Sequence, residues 1–103
     1  MDIPEYDEKS VRKFLRLQAK DVLKEALERF QSSDFDVESL EKILRGIAEE
    51  KGLSFSKVAQ PLRVAVTGSH VSPPIFDTLH LLGKEQTIKR VEYALENLPS
   101  RGN

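Results

Sequence analysis

The chain is 103 residues long, 39% hydrophobic and 32% charged, with a formal net charge of −1 and no cysteine. That length suits one domain with one core, and the absence of cysteine excludes a disulfide framework and any thiolate metal site. The only two histidines, His70 and His80, fall short of the usual zinc ligand set.

Residues 1–6 carry proline and polar side chains without an apolar period and read as a loose N-terminus. A helical pattern follows from about Glu8 to Phe30, because Val11, Phe14, Leu15, Val22, Leu23, Ala26, Leu27 and Phe30 recur at three- and four-residue steps. The polar stretch from Arg16 to Lys20 is expected to divide it. Gln31 to Asp34 forms a connector. Asp36 stands where an N-cap belongs, before a helix with Val37, Leu40, Ile43, Leu44, Ile47 and Ala48 on one side. Gly52 is its expected left-handed stop, and residues 7–53 read as an antiparallel helical pair serving as scaffold.

Ser54 or Ser56 opens a third pattern through Val58, Ala59, Leu62, Ala65 and Val66, with a restart or bend expected at Pro61. Thr67-Gly68 ends it. Ser72-Pro73-Pro74 is a restart signal, a capping hydroxyl followed by prolines whose fixed φ suits a first helical turn. Ile75, Phe76, Leu79 and Leu82 then face inward on a short helix closed by Gly83. Ile88, Val91, Ala94, Leu95 and Leu98 mark a last helix from Thr87 to Leu98, and residues 99–103 read as a loose C-terminus. The expected fold is all-α: one domain over 7–98, a compact bundle or cage of about six helices, several of them short.

Charge is mildly asymmetric. Residues 1–53 hold 10 Lys+Arg against 13 Asp+Glu, whereas residues 54–103 hold 6 against 4 and both histidines. Solvated helix faces account for this, but it singles out the second half if any part meets phosphate. No apolar run approaches the roughly 20 residues of a membrane span, so no membrane partner is expected and a cytoplasmic protein is the simplest reading.

No catalytic set emerges from spacing. The 5 glycines are scattered and form no phosphate-binding loop. Ser69-His70 beside Asp77 reads as a helix stop and a solvated ring before it reads as nucleophile and base. No metal site is expected, and no catalytic residue is assigned.

The run from Gln60 to Glu85 is more specific. It reads Gln60-Pro61-Leu62-Arg63-Val64-Ala65-Val66-Thr67-Gly68, then Val71-Ser72-Pro73-Pro74-Ile75-Phe76-Asp77, then Leu81-Leu82-Gly83-Lys84-Glu85. Composition and spacing of these pieces closely resemble the C-terminal anticodon-binding segment of bacterial-type glutamyl-tRNA synthetases, class I aminoacyl-tRNA synthetases of protein biosynthesis. Looser similarity extends from Tyr6 to Leu98. The class I catalytic motifs, a His-Ile-Gly-His-like sequence and a Lys-Met-Ser-Lys-Ser-like loop, do not occur here. The resemblance therefore implies an anticodon-binding domain, excised or free-standing, that is not an enzyme by itself. No cofactor is expected in this chain, since ATP and glutamate belong to the catalytic domain of a parent glutamate–tRNA ligase.

The resemblance further implies that residues 54–98 form the tRNA-contacting half and that the second and third anticodon bases are read. It assigns the contacts to Arg63, Ser72, Pro73, Ile75 and Phe76. Arg63 offers a planar fork of donors for a base edge or phosphate, although snorkelling or a carboxylate partner is an equally physical use. Phe76 suits either the core or a stacked base. His70, which lies outside the family pattern, and Lys84 are candidates for backbone contacts. Pro74 departs from a glycine common in the family and stiffens the turn. The implied partners are the anticodon loop of tRNA(Glu) and the remaining domains of the synthetase, with the chain itself a monomer. The alternative is a helical protein–protein interaction module without RNA binding.

Overall fold

The structure, a computed structural model, describes residues 6–10, 17–69 and 74–97, without the side chains of Leu17, Gln18 and Asn97. The expectations for residues 1–5 and 99–103, and for Val11, Phe14, Leu15, His70, Ser72, Pro73 and Leu98, fall outside the described residues. Four helices are described: α1 (Leu17–Gln31), α2 (Val37–Lys51), α3 (Phe55–Thr67) and α4 (Ile75–Asn97). Residues 8–10 are helical as well, and α4 is two arms joined at Gly83. The all-α expectation of about six segments thus holds among the described residues.

Local chemistry explains most boundaries. Asp7 Oδ2 accepts hydrogen bonds from the Ser10 backbone N–H at 3.0 Å and from Ser10 Oγ at 2.7 Å, an N-cap geometry for the turn over 8–10. Leu17 to Lys20 are helical, so the expected division does not fall within them. The α1–α2 connector contains Phe35, a non-glycine residue at φ 62°. Such a conformation is strained, and burial offsets it: the Phe35 ring lies edge-on to Phe30, centroids 5.3 Å apart.

Asp36 caps α2 as expected, its Oδ1 accepting from Ser39 N at 3.3 Å. Gly52 ends α2 at φ 65°, and Leu53 N closes the turn onto Ala48 O at 2.8 Å, the double closure of a left-handed C-cap. Arg29, near the end of α1, pairs with Glu25 at 3.0 Å and reaches Glu50 near the end of α2 at 2.6 Å. Like ends of the two helices meet here, whereas the antiparallel hairpin suggested by the sequence would pair opposite ends.

Two boundaries differ from expectation. Helix α3 continues through Pro61 without restarting. The lost bond is the one to Lys57, an exposed residue whose carbonyl water can satisfy, and the Pro61 ring is itself buried in the core. Helix α4 begins at Ile75 rather than within the prolines. The Pro74 carbonyl accepts the first helical bond, from Thr78 N at 3.0 Å, and Thr78 Oγ1 adds a second at 3.0 Å. Pro74 therefore occupies the cap position and precedes the first turn.

Every helix packs against the other three. The core they enclose contains Val22, Leu23, Ala26 and Phe30 from α1, Leu40, Leu44 and Ile47 from α2, and Val58, Leu62, Val64, Ala65 and Val66 from α3. Ile75, Leu79, Val91 and Ala94 of α4 complete it. Val37, expected inside, is 39% exposed because it is the first residue of α2 and projects past the rim.

Candidate nucleic-acid interface

Helix α3 turns its apolar side wholly into the core and leaves a polar face outside. Ser56, Lys57, Gln60, Arg63 and Thr67, spaced at helical intervals, are the residues of α3 that stay exposed or half-buried on that side. Arg63 is half-buried among them. Its Nη1 makes a long contact of 3.5 Å to Gln60 Oε1, and its Nε is enclosed without a partner. No carboxylate pairs with it among the described residues, so the carboxylate use of Arg63 is not taken up there. A guanidinium with one weak bond and several idle donors is a ready ligand for a base edge or phosphate.

The end of α3 is held from three directions. Gly68, at φ 87°, closes back onto Val64 O with an N–H···O distance of 2.8 Å. Tyr6 Oη donates to Ala65 O at 2.7 Å, Arg90 Nη1 donates to Val66 O at 2.7 Å, and Asp7 N donates to Gly68 O at 2.6 Å. Tyr6 also stacks on Tyr93, centroids 5.8 Å apart and 5° from parallel. Burial and the nearby Tyr93 push the Tyr6 hydroxyl up to about 12, against an opposing effect of Arg90. Sequence reasoning missed this junction. Tyr6 reads from sequence as part of a loose terminus and no local pattern marks Arg90; the contacts of both with the end of α3 give them their role.

The start of α4 stands nearby in sequence and is built differently. Ile75 is 2% exposed, so its side chain belongs to the core and offers no wall for stacking. Phe76 is half-buried, tilted against Phe55 at 5.6 Å, and the Arg45 guanidinium lies 5.0 Å over the Phe55 ring. The first three N–H groups of α4, on Ile75, Phe76 and Asp77, precede the first intrahelical bond, the kind of helix start that favours an anion. Lys84 donates from Nζ to Gln31 O at 3.0 Å, tying α4 to the end of α1. That contact gives Lys84 a structural use at a helix C-terminus. Of the residues singled out in the sequence, the structure therefore leaves Arg63 half-buried with no carboxylate partner among the described residues, half-buries Phe76 against Phe55, buries Ile75 and anchors Lys84.

Comparison with known proteins places the fold in a family. A family model described as an anticodon-binding domain covers residues 1–95. The chain is 46% identical over 91 residues to a glutamate–tRNA ligase of Geotalea uraniireducens, a match covering 87% of this chain and 20% of that protein. It is 42% identical over 103 residues to a glutamate–tRNA ligase of Legionella pneumophila, covering 99% and 22%. Among solved structures, a glutamate tRNA ligase from Elizabethkingia meningosepticum superposes with a TM-score of 0.86 at 34% identity, over 92% of this chain and 19% of that one. The chain spans about a fifth of the length of these relatives. It belongs to the anticodon-binding domain family, in the form carried by glutamate–tRNA ligases.

Proposed function

We propose that this chain reads the second and third anticodon bases of tRNA(Glu), and so helps a cytoplasmic glutamate–tRNA ligase select its substrate. ATP and glutamate would be handled by other parts of that enzyme, which this chain would serve as a monomeric domain. The observation that carries the reading is Arg63: a half-buried guanidinium on the polar side of α3, with one 3.5 Å contact to Gln60 and no carboxylate partner among the described residues. Unpaired anticodon bases expose their edges and are read by such donors. The N-terminal turn of α4 would supply a complementary site for phosphate. Ser72 and Pro73, named by the resemblance, lie between the two elements in sequence and belong to the proposed set of contact residues. Ile75 contributes as the buried anchor of α4, and Phe76 as a rim aromatic.

The helix that a protein-interaction module would most naturally present is α2, but Leu40, Leu44, Ile47 and Ala48 of its apolar face are buried within the domain. Of that face only Val37, at the helix start, and the half-buried Ile43 retain exposure.

Fluorescence anisotropy with a glutamate anticodon stem-loop tests the proposal. Replacing Arg63 by alanine is expected to weaken binding by about 5- to 150-fold, corresponding to roughly 1–3 kcal/mol for a base-reading arginine. Hairpins altered at the second or third anticodon base should bind the wild-type chain less tightly. Equal binding to all hairpins, unaffected by Arg63→Ala, would refute base reading.

A further inference from the structure

The last turn of a helix leaves carbonyls without intrahelical donors, and most helices satisfy them with water or a glycine turn. Helix α3 does more. Gly68 N closes on Val64 O, and Tyr6 Oη, Arg90 Nη1 and Asp7 N then engage Ala65, Val66 and Gly68, each at 2.6–2.7 Å. These donors come from a segment more than fifty residues upstream and from the second arm of α4. Thr67 adds a link within the turn: its hydroxyl donates to Arg63 O at 2.6 Å and accepts from Ser69 N at 3.4 Å. The backbone of Arg63 is thereby tied to the first residue of the connector that leads to α4.

Stability alone does not account for this arrangement. Arg90 Nε is enclosed without a hydrogen-bond partner. A half-buried guanidinium that satisfies one carbonyl and leaves another polar atom orphaned is a poor exchange against an apolar residue of similar volume. Its return is geometric: a planar group anchored on α4 fixes where the α3 end points. The stack of Tyr6 on Tyr93, the latter three residues beyond Arg90, fixes the donor from the other side.

We propose that Arg90 and Tyr6 are positioning residues for anticodon reading, locking the C-terminal turn of α3 so that Arg63 keeps one fixed orientation relative to α4. The inference rests on the reading of Arg63 given above. It predicts that loosening the lock degrades discrimination between anticodons more than it degrades attraction to RNA, because phosphate attraction tolerates displacement and base-edge hydrogen bonds do not.

The test measures, for each variant, the ratio of affinities for the cognate stem-loop and one altered at the second anticodon base, alongside thermal unfolding and the salt dependence of binding. Tyr6→Phe removes only the hydroxyl and keeps the stack, so it should fold even if Arg90→Met does not. Tyr6→Phe and Arg90→Met should each lower the discrimination ratio by about three- to tenfold, the scale of one lost hydrogen bond, with the salt slope unchanged. Arg90→Lys, which keeps a donor within reach of Val66 O, should restore part of the ratio. Ile47→Val, a core truncation on α2, should lower stability and leave the ratio alone. A wild-type chain that discriminates, with Tyr6→Phe and Arg90→Met discriminating equally well, overturns the positioning role and leaves base reading standing. A wild-type chain that does not discriminate overturns base reading first, and the positioning role with it.

Discussion

Tyr6 shows how much a single hydroxyl can report. Enclosed against Tyr93 and donating to Ala65 O, it is harder to ionise than a free tyrosine, with its pKa pushed from 10.0 to about 12. A raised folded-state value means that the hydroxyl contributes stability fully below the unfolded value of 10.0 and loses that contribution as pH climbs towards about 12. Alkaline melts of wild type and Tyr6→Phe should accordingly converge across this window, because only the wild type has a proton to lose. A melting difference that stayed constant from pH 9 to pH 12 would show that the hydroxyl is not buried in this way. Asp36 supplies the acid counterpart. Its hydrogen bond with Ser39 holds its carboxyl below the ordinary 3.8. The cap's contribution is therefore complete above 3.8 and disappears as pH falls through the lower folded value. Asp36→Ala should melt earlier than wild type at neutral pH and match it in strong acid. At this scale the sequence was readable where chemistry is local. Asp36 and Gly52 announce their roles through neighbours one turn away. Tyr6 and Arg90 act on a helix end remote in sequence, and no local pattern encodes that.

Among the helices, the informative element is α4, whose two arms meet at Gly83 with φ 83° and ψ 164°. A side chain at this residue would meet nothing within 4 Å, so space is not the constraint. The backbone is: this region of φ/ψ is essentially reserved for glycine. Gly83→Ala should destabilise the domain by about 1–3 kcal/mol through backbone strain, with no cavity and no lost contact to explain it. If the loss were as small as that of an alanine on an exposed helix face, the bend would be an accommodation rather than a requirement. The bend lets the first arm bury Ile75 and Leu79 while the second brings Arg90 to the end of α3. Helix positions were legible from apolar period, since Leu23, Leu40, Leu44, Leu62 and Val91 all reach the core. Relations between elements were less so. The uninterrupted passage through Pro61 depends on an exposed Lys57 upstream, and the late start of α4 depends on the Pro74 carbonyl serving as cap. Each outcome is decided by tertiary surroundings that propensity does not see.

On the scale of the whole molecule, one core is shared by all four described helices, and the radius of gyration of 12.1 Å is that of a closely packed domain of this size. None of the described helices has a core of its own, so residues 17–51 and 55–97 must unfold together. Phe30 lies at the centre of this arrangement: fully enclosed, edge-on to the strained Phe35, and far in sequence from Arg63. Phe30→Ala should cost about 3–5 kcal/mol, a large share of the roughly 5–15 kcal/mol that holds a domain of this kind. Because the core is common, helicity and anticodon binding should fail at the same denaturant concentration in the variant as in wild type, only lower. The denaturant slope should not change, since the same surface is exposed on unfolding. Two separated transitions, or stem-loop binding that outlived the loss of α1 helicity, would mean that residues 54–97 fold without their scaffold. The packing of every described helix against the other three argues for the single transition.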